Sequence, residues 1–168
     1  MFSKITERLA NDHVALDQLL KQLQAALNNG DANACYARLD LFWAKLAVHI
    51  RAEHLHLFPR VLEAVTRTRE SLDEGSHDDT RKVIEQLRAD HEFFMHELGK
   101  AVIDKELDTV RRAISEIEQK LIEHNRIEEN HVYQLAGIVL NTAEQEELVQ
   151  RISSELEKRP PRFAANVW

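Results

Sequence analysis

A chain of 168 residues is long enough for one domain with a core that needs no covalent staples, and its single cysteine, Cys35, rules out an intrachain disulfide. Its 29 acidic residues outnumber 22 basic ones for a formal net charge of −7, and no basic stripe is present to neutralise phosphates, which argues against nucleic acid as a partner. Four glycines and three prolines in a background rich in Leu, Ala, Glu, Lys, Arg and Gln favour long helices, and no alternating apolar run suggests strands.

In chain order, the opening MFSKITERLANDH is polar and amphipathic, without the apolar centre of a signal peptide. No apolar stretch reaches bilayer length, so the expectation is a soluble cytoplasmic protein with no membrane partner. Leu9, Leu16, Leu19, Leu20, Leu23 and Leu27 recur at helical spacing and predict a first helix over about residues 3–29. Asn28-Asn29-Gly30 is a stop, and Asp31 can cap the next helix. That second helix is expected over about residues 32–67, with Leu39, Phe42, Trp43, Leu46 and His49 inward. Pro59 within it predicts a kink or break near Phe58. Residues 70–76 read as a loop. A third helix opens near Asp78 or Asp79 and runs to about residue 104, with Val83, Leu87, His91, Phe94 and Leu98 as its inner stripe. After a turn at Lys105 a fourth continues to about residue 138 through Val110, Ile114, Ile117, Leu121, His124 and Glu128. Thr142 with Gln145 three residues on reads as the capping box of a shorter fifth helix, which ends before Pro160-Pro161. The prediction is one all-α domain over residues 1–168: an up-down-up-down four-helix bundle over about 3–138, then a short C-terminal helix and tail over about 142–168.

Two segments carry the chemistry. Residues 49–58 read HIRAEHLHLF and residues 124–133 read HNRIEENHVY, sharing His, Arg, Glu and His at matching places and an aromatic at the end. His49 and Glu53 are four apart, as are His124 and Glu128, so each pair lies on one helix face. Asp12-His13 precedes His49 by 36 residues, and Asp90-His91 precedes His124 by 33. Each half is therefore a helix bearing Asp-His followed by a helix bearing His-x-x-x-Glu, the pattern of a duplicated hairpin. Folded together, His13, His49, Glu53, His91, His124 and Glu128 can converge. Four imidazoles and two carboxylates suit two first-row transition metals, with the carboxylates able to bridge and positions left for water or a diatomic ligand. Mixed nitrogen and oxygen donors without thiolate fit iron or manganese better than structural zinc. One His-x-x-x-Glu alone is commonly a solvated or salt-linked pair. Two copies at like spacing on inward faces are not, because buried ionisable groups need partners.

His56 and His131, three residues after the two glutamates, are additional candidates: further metal ligands, groups that orient the carboxylates, or residues packed at the bundle's end. Glu129 could support Glu128, although adjacent helix residues diverge. Tyr133 and Phe58 read equally as walls of the site and as plain core, and Trp43 as core. His54, His77, His96, Arg51 and Arg126 read as surface residues.

On DH at 12–13, HIRAEHLHLFP at 49–59, DH at 90–91 and HNRIEE at 124–129, the chain resembles the hemerythrin-like, or HHE, cation-binding domain family over about residues 3–138. The resemblance implies a four-helix bundle with a non-haem di-iron centre, manganese or zinc being substitutes. It implies ligands at His13, His49, Glu53, His91, His124 and Glu128, with Glu53 and Glu128 as bridges. Members of the family bind oxygen, respond to iron or oxygen, handle nitric oxide, or help repair iron centres. The implied function is a di-iron protein that binds oxygen, nitric oxide or iron for sensing, storage or scavenging. The alternative is a di-iron enzyme acting on oxygen, peroxide or nitric oxide, or an iron-centre repair protein. No acid, base or nucleophile stands outside the ligand set, which favours binding over turnover. A third reading is a structural module that metal merely pins together. Oxygen-carrying hemerythrins place two histidines a turn apart on the third helix, where this chain has His91 and Met95, and end on His-x-x-x-x-Asp, where it has His124-x-x-x-Glu128. Both departures argue against reversible oxygen carriage. Repair-type relatives often add an N-terminal domain with paired cysteines, which this sequence does not contain.

Overall fold

In the computed structural model, residues 3–68 and 74–158 are described, with side chains from Asp78 onward in the second stretch. Among them all regular structure is helical. Helix α1 spans Lys4–Asn28, opened by Ser3, whose hydroxyl accepts the Thr6 N–H at 3.1 Å. It closes on Gly30, whose φ of 67° is the left-handed conformation that glycine takes without strain. Asp31 then accepts the Ala34 N–H at 3.0 Å and opens α2, Ala32–Ala52, as the sequence predicts.

Where a kink or break is expected near Phe58, the helix does not break. Instead α2 runs through a π-turn, Glu53–Leu57, into α3, Phe58–Arg67, with the Phe58 N–H bonded to the Glu53 carbonyl five residues back. Proline is not the cause. The same π-turn recurs at Glu128–Val132, between α5, Leu107–Ile127, and α6, Tyr133–Val139, where the matching position is Gln134. Helix α4, Glu74–Asp104, starts earlier than the sequence suggests. Of the expected 70–76 loop, residues 70–73 lie outside the described residues and 74–76 are already helical. Lys105 turns the chain into α5 with a φ of 54°. Helix α7, Thr142–Leu156, is capped one residue earlier than expected. Asn141 accepts the Glu144 N–H and the Glu144 carboxylate accepts the Asn141 N–H, both at 3.0 Å. The tail from residue 162 lies outside the described residues.

The four long rods close a ring: α1 packs on α2, α2 on α4, α4 on α5 and α5 on α1, with α7 laid across α1 and α2. Their apolar stripes, together with that of α7, form two clusters. One holds Leu16, Leu23, Phe42, Trp43, Phe94 and Ile117, and the other Ile5, Leu9, Phe58, Leu87, Tyr133 and Ile152. On every rod the His and Glu positions fall between these clusters, so the bundle has a polar layer at mid-height. Burial of about 0.8 kcal/mol per methylene on both sides is what holds that layer out of water. Among the described residues no helix is long and apolar enough to cross a membrane.

Candidate metal centre

The polar layer gathers all six of the residues singled out by the duplicated motif. His13 comes from α1, His49 from α2, His91 from α4 and His124 from α5, while Glu53 and Glu128 are the first residues of the two π-turns. All six are buried, and both glutamates are fully so. The imidazoles pair, with Nε2 atoms 3.2 Å apart for His13 and His49 and 2.9 Å apart for His91 and His124. Glu128 places Oε2 3.2 Å from His13 Nε2, and Oε1 3.0 Å from His124 Nε2 and 3.4 Å from His91 Nε2. Glu53 mirrors it, with Oε1 3.7 Å from His49 Nε2 and Oε2 3.4 Å from His91 Nε2. Each carboxylate thus offers one oxygen to each imidazole pair. His13, His49 and Glu128 are close enough to share one metal ion, and His91, His124 and Glu128 another.

The outward ring nitrogens are all held. His49 Nδ1 donates to Asp12 at 2.9 Å and His124 Nδ1 to Asp90 at 3.2 Å. Lys45 backs Asp12 at 2.6 Å and Lys120 backs Asp90 at 2.7 Å. His13 Nδ1 meets Glu129 at 2.8 Å, and His91 Nδ1 meets His54 Nε2 at 2.9 Å. With each Nδ1 held outward, every Nε2 faces the centre, the arrangement that orients imidazole toward a metal once any Nε2 proton is displaced. The π-turns complete the layer. A hydrogen bond that skips five residues widens the turn, so the residue five after each glutamate swings back over the site. There the Tyr133 hydroxyl donates to Glu53 Oε1 at 2.6 Å and lies 3.2 Å from both Glu128 Oε2 and His13 Nε2. Its counterpart Phe58 stacks on His91 with centroids 6.0 Å apart.

Charge is distributed unevenly among these groups. Burial and the neighbouring Glu128 charge hold the Glu53 carboxyl well above its usual range. Burial opposes ionisation of Glu128 too, but His124, His13 and His91 outweigh it and the carboxyl is held low. Burial likewise opposes charge on His13 and His124, yet Glu128 with Glu129, and Glu128 with Asp90, push them up to about 10 and about 9. Burial takes His91 down to about 3 and His54 to about 4, and lowers His49. Even so, Glu53 Oε2 and Glu128 Oε1 are buried without a well-directed hydrogen bond, their polar neighbours being inward imidazole nitrogens at 3.0–3.4 Å. A buried carboxylate oxygen without such a bond costs stability. The donor set therefore fits two cations. Among these groups a cavity of about 10 Å³, lined by the four imidazoles and Glu128 and closed by Leu16, Phe42, Leu46 and Leu121, is at the lower limit for a single water molecule.

The two additional candidates are not brought to the centre. His131 is exposed, and His56 points to Glu155 on α7 at 3.6 Å, because the widened turn carries the third residue after each glutamate off the inner face. Two residues with outer roles were read otherwise from sequence. His54, expected at the surface, is half-buried against His91, and Glu129 supports His13 rather than Glu128. Their signal was in the repeat, since each directly follows one of the two buried glutamates. Lys45 and Lys120, four residues before His49 and His124, were equally legible there. Arg51 is not simply exposed: its Nε lies 2.7 Å from the buried Glu155 carboxylate. Arg126 pairs with Glu123 at the surface, and His96 is exposed as expected. The side chain of His77 lies outside those described.

A family model described as the Hemerythrin HHE cation binding domain matches residues 4–136. No curated protein and no solved structure matches the chain.

Proposed function

Because the chain belongs to the hemerythrin HHE cation-binding domain family, we propose that the cations of its centre are two iron ions and that they serve to bind oxygen or nitric oxide, or to hold iron, in sensing, storage or scavenging. The supporting observation is the pair of carboxylates that each offer one oxygen to each imidazole pair, with Glu53 Oε2 and Glu128 Oε1 buried among inward Nε2 atoms at 3.0–3.4 Å. His13 and His49 would hold one ion and His91 and His124 the other, Glu53 and Glu128 spanning both. The absence of thiolate among these donors favours iron or manganese over structural zinc. Iron there supplies a changeable valence and positions for a diatomic ligand, which His and Glu side chains lack. Where oxygen carriers have a second third-helix histidine this chain has Met95, half-buried against the apolar cluster, which disfavours a plain carrier. The buried free thiol of Cys35 accords with a reducing cytoplasm.

Metal analysis with optical spectra under nitrogen, oxygen and nitric oxide tests the reading. The protein should hold about two irons per chain and show near-ultraviolet bands that respond to the gases. Glu53→Ala/Glu128→Ala should lose both. Iron-free protein from iron-replete cells sinks the proposal.

Tyr133 favours a second reading, a di-iron enzyme. Its hydroxyl touches both carboxylates and can move a proton at Tyr133 Oη. Repeated turnover of oxygen or peroxide, lost in Tyr133→Phe while two irons remain, would support it. Oxygen uptake that stops after one cycle leaves the binding reading.

A further inference from the structure

The two halves of the centre are not equivalent toward solvent. On the His13 side a groove of about 530 Å³ runs between α1 and α5, with His13 and Glu129 among its lining and the exposed Val14 and Ile122 beside them. His13 is only 5% exposed, but the Glu129 side chain bonded to it is 39% exposed. One carboxylate therefore touches a centre residue with one oxygen and solvent with the rest of its surface. The lining carries Asp17 and Glu118 as well. Its two cations are Lys21 and Arg126, and Arg126 is held by Glu123 at 2.6 Å.

The repeat-related side is built differently. Ala10, one turn before His13, lines the groove, whereas Arg88 holds the matching place before His91. The Arg88 guanidinium lies 5.9 Å over the Phe58 ring, which itself stacks on His91. The place of Glu129 is taken by His54. A cation approaching that side meets a guanidinium and an aromatic ring; on the other side it meets a carboxylate.

We propose that the α1–α5 groove is the route by which a divalent metal cation reaches the centre, and that Glu129 receives it and holds His13 in position to take it over. The proposal rests on the reading that the six His and Glu side chains hold cations. Asp17 and Glu118 along the groove attract the ion, and the ion bound through His13 arrives first.

The test follows cobalt(II) uptake by metal-stripped full-length protein in a stopped-flow spectrometer, with final occupancy measured separately. Glu129→Gln keeps an acceptor for the His13 Nδ1–H but removes the charge. It should slow uptake roughly tenfold or more, the range of electrostatic steering, and still reach the wild-type occupancy. Val14→Arg, which alters an exposed rim residue, should slow it likewise. Glu147→Gln removes the same charge from the distant surface of α7, where Glu147 pairs with Arg151, and should load at the wild-type rate. Uptake by wild type should fall with rising ionic strength, and less steeply in Glu129→Gln. Wild-type rates in either Glu129→Gln or Val14→Arg overturn the route, as does a loss of final occupancy without a change in rate. A wild-type chain that takes up no cobalt at all instead overturns the metal reading beneath it.

Discussion

On the proposed shared-carboxylate reading, Glu53 and His49 differ in how many metal positions they serve, and that difference can be weighed. Glu53 offers one oxygen to each imidazole pair, whereas His49 belongs to one pair only. At a free ion concentration 100 times the dissociation constant, linkage stabilises the folded chain by about 2.7 kcal/mol per position. Two filled positions contribute about 5 kcal/mol, and for 168 residues each kcal/mol moves the melting temperature by about 2–4 °C. Wild-type protein should therefore melt about 10–20 °C higher loaded than stripped. His49→Ala should keep about half of that difference and one ion, because the His91 and His124 position is untouched. Glu53→Ala weakens both positions and should lose nearly all of it. Using the loaded-minus-stripped difference within each variant cancels whatever the substitution does to the bare fold. Scanning calorimetry paired with metal analysis gives both quantities. Equal losses in His49→Ala and Glu53→Ala, or loaded and stripped wild type melting within about a degree of each other, would refute the shared-carboxylate reasoning.

The other expectations concern outer partners, protons and packing. Asp12→Ala removes the acceptor that orients His49 and should weaken binding at the His13 and His49 position about 10–100-fold in a metal titration, leaving the other position near wild type. In the metal-free chain His13 and His124 hold protons at neutral pH, and a metal must displace them. Loading should acidify a weakly buffered solution, and affinity should rise with pH up to the about 9 and about 10 of the two histidines; pH-independent binding without proton release contradicts this. The Glu144 carboxyl is held below its usual range by the Asn141 N–H and by Arg67. A depressed folded-state value means stability that is present above the ordinary carboxylate range and lost as pH falls through the folded value. Wild type and Glu144→Gln should thus differ in melting temperature at neutral pH and converge in acid. Leu23→Ala, at a fully buried position of the apolar cluster beyond the centre, should cost about 2.7–5 kcal/mol in denaturant unfolding without altering metal content.

Much of this protein is written in its local spacing. Helical period, capping residues and scarce glycine are enough for the four rods. Two copies of His-x-x-x-Glu, each preceded by Asp-His, name the six converging side chains before any coordinate is known, because i to i+4 geometry puts donors on one face and the repeat supplies the second face. Gln134 in place of a second proline shows what spacing cannot reveal: the widened turns recur with and without a proline, each opening on one of the two glutamates. Tertiary structure alone decided that Tyr133 reaches the centre while His56 and His131 leave it. It also decided that Glu129 supports His13 and His54 supports His91. Each of these pairings joins the two hairpins, 116 residues apart for His13 and Glu129 and 37 for His54 and His91. A helical period says which way a side chain faces, but not which partner from another helix will be there to meet it.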